Sequence, residues 1–121
     1  MLHKMLFAVV ILVVALGSVA LADPQTLAIE QQATLILGGA AVIVDVNCGD
    51  GESVAQVAVG IRQGTTVGQG FATFNSTGNR QRVGVPVPGA FTAGDAIASA
   101  QLLCNMLFEG ETLGQSIKIL E

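Results

Sequence analysis

The chain has 121 residues, with nine acidic and five basic side chains, one histidine, two cysteines, and neither tryptophan nor tyrosine. From Asp23 onward only four basic residues remain, Arg62, Arg80, Arg82 and Lys118, against all nine acidic ones. That balance excludes the clustered Lys and Arg on which non-specific nucleic-acid binding depends. The only histidine is His3, so a histidine general base or a Ser-His-Asp triad is excluded from the same stretch.

The N-terminus has the pattern of a secretory leader. His3 and Lys4 form a short positive region, Met5 to Leu16 is continuously apolar, Gly17-Ser18 breaks the helix, and Ala20-Leu21-Ala22 sets small residues at a cleavage site. The expectation is a signal peptide helix over residues 1–22, a cut between Ala22 and Asp23, and one domain over 23–121 in a secreted or cell-envelope protein. Membrane contact would then end with cleavage. The alternative is an uncleaved leader that tethers the chain, since Met5 to Ala22 is long enough to span a bilayer.

Behind a leader, two cysteines point to one disulfide, Cys48–Cys104. Two free thiols or an intermolecular pair are the alternatives. Two Cys without a further His are too few for a zinc site, and no cofactor motif is present.

The remaining chain consists of short alternating runs separated by Gly, Asn, Asp and Pro, the pattern of an antiparallel β domain. Leu27, Ile29, Ala33, Leu35 and Leu37 share one parity in a first strand that breaks around Gln31-Gln32, and Gly38-Gly39 turns the chain. The second strand points Val42, Val44, Val46 and Cys48 inward, and Gly49-Asp50-Gly51-Glu52 follows as a turn. In the third, Ala55, Val57, Val59 and Ile61 face one way. The fourth, Thr65 to Phe74, has faces that the pattern leaves unassigned because Phe71 and Phe74 differ in parity. Asn75 to Asn79 is the next turn. The fifth strand, Arg80 to Val87, contains Pro86 and is followed by Pro88, which confines it to an edge or ends its pairing. The sixth puts Ala96, Ala98, Ala100, Leu102 and Cys104 on one face; helix is the rival over Gly94 to Phe108, alanine being a good helix former. A loop over Asn105–Thr112 leads to a seventh strand containing Leu113, Ile117 and Ile119. Seven short strands with no helix between them predict an all-β sandwich.

The two cysteines, at the ends of the second and sixth strands, resemble the inter-sheet pair of the immunoglobulin fold, although the tryptophan and the tyrosine corner of that fold are missing. The runs Val54 to Gln63, Gly68-Gln69-Gly70 and Phe91-Thr92-Ala93-Gly94-Asp95-Ala96 resemble small secreted bacterial proteins of unknown function with an immunoglobulin-like sandwich. The resemblance implies a single immunoglobulin-like antiparallel sandwich and an extracytoplasmic location. It implies no chemistry.

Candidate sites are few. Asp50 and Glu52 could in principle form a glycosidase pair, but a strand-connecting turn in so small a domain offers little cleft to raise the pKa of either. Asp45, Asn47, Asp50 and Glu52 offer oxygen ligands, but Asp50 stands where the calcium loop of an EF-hand needs glycine, so a solvated acidic turn is expected. Asn75-Ser76-Thr77 fits the N-glycosylation pattern in an expected loop. Sugar binding lacks its aromatic platform, with Phe71, Phe74 and Phe91 expected in the core.

In an immunoglobulin-like sandwich the turns after Cys48 and Cys104 would lie side by side. That tip would carry Met106, Leu107 and Phe108 beside Asp50, Glu52, Glu109 and Glu111. One reading is a partner-binding loop with an acidic rim. The favoured one has Met106 to Phe108 folding back to cap the core beneath the disulfide. The functional expectation is a non-enzymatic structural or interaction module. The alternative is a small-ligand carrier resembling bacterial chromophore-binding apoproteins, which would need a cleft opened by the small inward residues Ala96, Ala98 and Ala100.

Overall fold

Alternation at period two decides which side chains meet. In a computed structural model, residues 27–49 and 52–121 are described; the leader, its cleavage site, and the turn residues Asp50 and Gly51 lie outside them. Eight strands follow in chain order: β1 (Leu27–Ile29), β2 (Gln32–Ile36), β3 (Gly39–Val46), β4 (Glu52–Gln63), β5 (Thr66–Thr77), β6 (Gln81–Pro88), β7 (Gly94–Cys104) and β8 (Leu107–Leu120). The protein is all-β, as expected, and the helical alternative over Gly94 to Phe108 gives way to β7 and the start of β8.

One hydrogen-bonded path runs β1-β3-β2-β8-β7-β4-β5, with β6 on the other side of β3. Folded on itself, it makes two layers. In one, β3 pairs antiparallel with β6 from Gly39↔Pro88 to Val46↔Gln81, and with β1 at Leu27↔Val46. In the other, β4 pairs with β5 and β7, and β7 with β8.

Two expectations are corrected here. The break at Gln31 separates two strands rather than interrupting one, which raises the count from seven to eight. The sheet is also not wholly antiparallel, because β2 runs parallel to β8 from Gln32↔Lys118 to Thr34↔Leu120. The physical cause is one added partner: β2 still pairs antiparallel with β3, from Thr34↔Ala41 to Ile36↔Gly39, and takes β8 on its other edge. Ala28 and Ile29 lie on β3, and at Gln31, whose carbonyl accepts from Lys118 N at 2.8 Å, the chain also meets β8.

The core holds the faces that the alternation assigns. Val42, Val44, Val46, Ala55, Val57 and Val59 have no accessible surface, and Ile61, Ala98, Ala100 and Leu102 are buried with them. Phe91 joins this cluster, and Phe74 packs at its margin. Phe71 does not. It is 61% exposed, because the period-two pattern of β5 buries Gly70 and Ser76 and turns the odd positions outward. Leu37, expected inward, is in the turn before β3 and is fully exposed.

The two layers also approach each other where no ladder joins them. Pro86 and Pro88 lack N–H groups, so β6 pairs only with β3. Across from them, Gly68 and Gly70 of β5 lie directly against the carbonyls of Pro88 and Pro86. Backbone packed on backbone closes that side.

A side chain the sequence did not single out fixes the segment between β6 and β7. Gln63 Nε2 donates to the carbonyls of Thr92 (2.9 Å) and Asp95 (3.2 Å), and Thr92 N donates to Gln63 Oε1 (2.9 Å). The amide copies a strand pairing and holds the loop beside the buried Phe91.

Candidate functional site: the disulfide-anchored hairpin tip

The chain turns twice at one disulfide. Cys48 and Cys104 are bonded, with Cα atoms 5.7 Å apart, and both are buried. Each is followed at once by a residue of positive φ, Gly49 at 79° and Asn105 at 54°, so both turns depart from the same covalent anchor. Just inside the tip, Ser53 and Ser76 face each other across β4 and β5. Ser53 N donates to Ser76 Oγ at 3.1 Å and the two hydroxyls are 3.1 Å apart, which satisfies the buried Ser76. An open concavity lined by Ser53, Val54, Asn75, Ser76 and Thr77 lies beside them.

The segment expected as a loop over Asn105–Thr112 is a β-hairpin. Only Asn105 and Met106 form its turn, and the strand resumes at Leu107. Both turn residues have positive φ, 54° and 65°, as the two-residue turns that match strand twist require. Sequence reasoning missed it because Asn-Met lacks the glycine that normally marks such a turn.

The fold-back onto the core is also corrected. Met106 is 66% exposed, Leu107 67% and Phe108 50%. A tight hairpin continues both strands past the end of the core, which leaves these side chains at least half exposed. Leu107 stands opposite Cys104 on one face, and Phe108 opposite Leu103 on the other. Val54, 52% exposed, adds to the apolar end; its outward parity with Gln56 was the available signal.

Of the acidic rim, Glu109 is exposed at the β7–β8 irregularity between Leu102 and Leu103, while Asp50 and the side chain of Glu52 lie outside the described residues. Glu111 stands opposite Gln101, whose Nε2 donates to Glu111 Oε2 at 3.3 Å. Its Oε1 is buried without a hydrogen-bond partner. Burial pushes the Glu111 carboxyl above the usual carboxylate range, and the Gln101 bond opposes that rise.

The remaining candidates separate. Asp45 lies opposite Arg82 on the outer side of β3, and Asn47 is half-buried with its Oδ1 unpartnered. Among the described residues no three His, Cys, Asp or Glu side chains are grouped to hold a metal ion. Asn75-Ser76-Thr77 lies in strand β5 and not in a loop; Asn75 is exposed, and its carbonyl accepts from Gln81 Nε2 at 3.1 Å.

Comparison with family models, with curated proteins and with solved structures gives no match for this chain. Any functional reading therefore rests on the residues and their arrangement.

Proposed function

We propose that this chain is a secreted, non-enzymatic immunoglobulin-like module that contacts a protein partner through the tip of the β7–β8 hairpin. The immunoglobulin-like part of the reading is supported by connectivity. β3 pairs with β6, β4 with β7, β2 runs parallel to β8, and the disulfide joins the ends of β3 and β7 across the layers. A buried disulfide agrees with an oxidising, extracytoplasmic compartment.

The observation that carries the contact role is the run Met106-Leu107-Phe108. Three consecutive large apolar side chains are at least half exposed, and the first has a φ of 65° that L-residues with long side chains rarely adopt. Exposure and backbone strain at one spot give the fold nothing in return, and such combinations gather at binding sites. The carrier alternative draws less support. Ala98 has no accessible surface, and Ala96 and Ala100 have 6% and 2%, so the inward alanines bring the layers together and leave no water-sized space at Ala98.

Affinity capture from the native envelope or medium tests the proposal, with wild type compared against Leu107→Ala plus Phe108→Ala. Loss of a captured partner is the expected result. Retention of every partner by the double variant would remove the tip from consideration.

A further inference from the structure

The outward side of the β8–β7–β4–β5 layer differs from the outward side of the other layer. On the latter, Arg82 Nη2 meets Glu30 Oε2 at 2.7 Å, and Asp45 stands next to Arg82. On the former, three long runs of β4, β5 and β7 carry no charge: Ser53 to Ile61, Gln63 to Asn79, and Ala96 to Phe108. An apolar diagonal crosses it, with Phe108 opposite Leu103, Ala58 opposite Phe71, and Ala58 and Leu103 diagonal neighbours. Phe71 is 61% exposed and Val67, on the same side of β5, is 63% exposed. A charge-poor centre with aromatic groups, flanked by Arg62 on one side and Glu111 on the other, is the composition of an interface core.

The two ends of this face differ in net charge. One end has Arg62 and Lys118 against a single acid, Asp95, whose Oδ1 is 3.9 Å from Lys118 Nζ. The hairpin end has Glu109 and Glu111. Between them runs a row of small or neutral residues in register, Gln69, Gly60 and Ser99. A two-fold axis lying along that row reverses strand direction. It sets Lys118 of one copy over Glu109 of the other, and Phe71 of one over Val67 of the other, each contact occurring twice. Gly60, with no side chain, permits close approach at the axis.

From this geometry we propose that the outward face of β8–β7–β4–β5 pairs with the same face of a second copy, forming a two-fold homodimer. Four strands at ~4.8 Å spacing, each about nine residues long at ~3.4 Å, span on the order of 500–600 Å² in projection. Side-chain relief raises the accessible area toward the ~800 Å² per partner of a standard interface. The dimer goes beyond the tip contact proposed above, and the two fail separately: Leu107 points to the opposite face, so Leu107→Ala alone reads the tip and leaves the dimer unchanged, while Phe71→Arg reads the dimer and lies away from the tip.

Sedimentation velocity of the purified, oxidised protein over a concentration series tests this. A concentration-dependent dimer is expected, with dissociation in the micromolar range and weakening as salt is added. Phe71→Arg should raise the dissociation constant at least tenfold, and Lys118→Glu should weaken the dimer similarly. Combining Lys118→Glu with Glu109→Lys should restore it. Circular dichroism melts establish that each variant is folded; if Phe71→Arg is not, Gln69→Arg at the axis replaces it. A monomer up to several hundred micromolar overturns the proposal. So does a dimer indifferent to these arginine substitutions, or a charge swap that fails to restore association.

Discussion

The Pro86 carbonyl occupies the place where a side chain on Gly70 would go, and Pro88 stands in the same relation to Gly68. These contacts join the two layers where the prolines of β6 leave no ladder, so they act in place of strand pairing. Gly70→Ala must push backbone aside and is expected to destabilise by about 1–3 kcal/mol, the usual cost of overpacking. Gly60 is the control: an alanine methyl there would have its nearest neighbours at 3.7 Å, and the φ of Gly60 is not positive. At protein concentrations too low for the dimer, Gly60→Ala should be neutral or stabilise by up to ~1 kcal/mol, since glycine weakens a strand interior. Urea unfolding of the two variants decides the comparison.

Cys48 and Cys104 are 56 positions apart, so their bond closes a long loop in the unfolded chain. The chain-entropy relation gives about 4 kcal/mol for a loop of that length. Against the ~5–15 kcal/mol total of an ordinary domain, that is a large share. Cys48→Ala with Cys104→Ala should lower the urea midpoint accordingly and leave the native far-UV spectrum unchanged below the transition. A double variant as stable as wild type would mean that the bond constrains little.

Much of the frame was legible from parity. The inward faces of β3, β4 and β7 follow directly from alternation, because each is packed on one side and a one-residue slip would expose the whole row. Phe71 and Phe74 could not be assigned, because β5 is covered on its inner face partly by glycine, and hydrophobicity there no longer marks the inside. The added pairing of β2 with β8 depends on a long-range partner, which local pattern does not contain. The hairpin at Asn105-Met106 was hidden for a different reason. Its turn adopts positive φ without glycine, against the local preference, and local rules fail most often where function sets the residue.

Glu111 makes the stability of the hairpin dependent on pH. Burial raises its folded pKa above the unfolded value, so its favourable contribution is fully present below the unfolded pKa and is lost as pH rises through the folded one. At neutral pH the ionised carboxylate is therefore a cost, with Oε1 lacking any partner. Glu111→Gln should stabilise at pH 7, by on the order of a few tenths of a kcal/mol because solvent still screens the group. The difference should shrink below pH ~4.3, where an unfolded glutamate is protonated. Thermal melts of both proteins at several pH values measure it, and a constant difference across that range would assign the effect to something other than titration.

Met106 sets stability against contact. Its φ of 65° follows Asn105 at 54°, and asparagine tolerates that region far better than methionine. Met106→Gly yields Asn-Gly, the preferred sequence for a two-residue hairpin with positive φ at both positions. Removing the strain should stabilise by about 1 kcal/mol, a shift of a few degrees in melting temperature for a domain of this size. The same substitution deletes a side chain that is 66% exposed. If the tip is a contact surface, Met106→Gly therefore gives a more stable protein that captures its partner less well, and the two effects have opposite signs. Met106→Asn repeats the comparison without the added backbone freedom of glycine, since asparagine also accepts positive φ while removing the apolar group. Partner capture that falls in both variants while the melting temperature rises would assign the strained methionine to binding. Undiminished capture in both would leave its presence without a functional explanation.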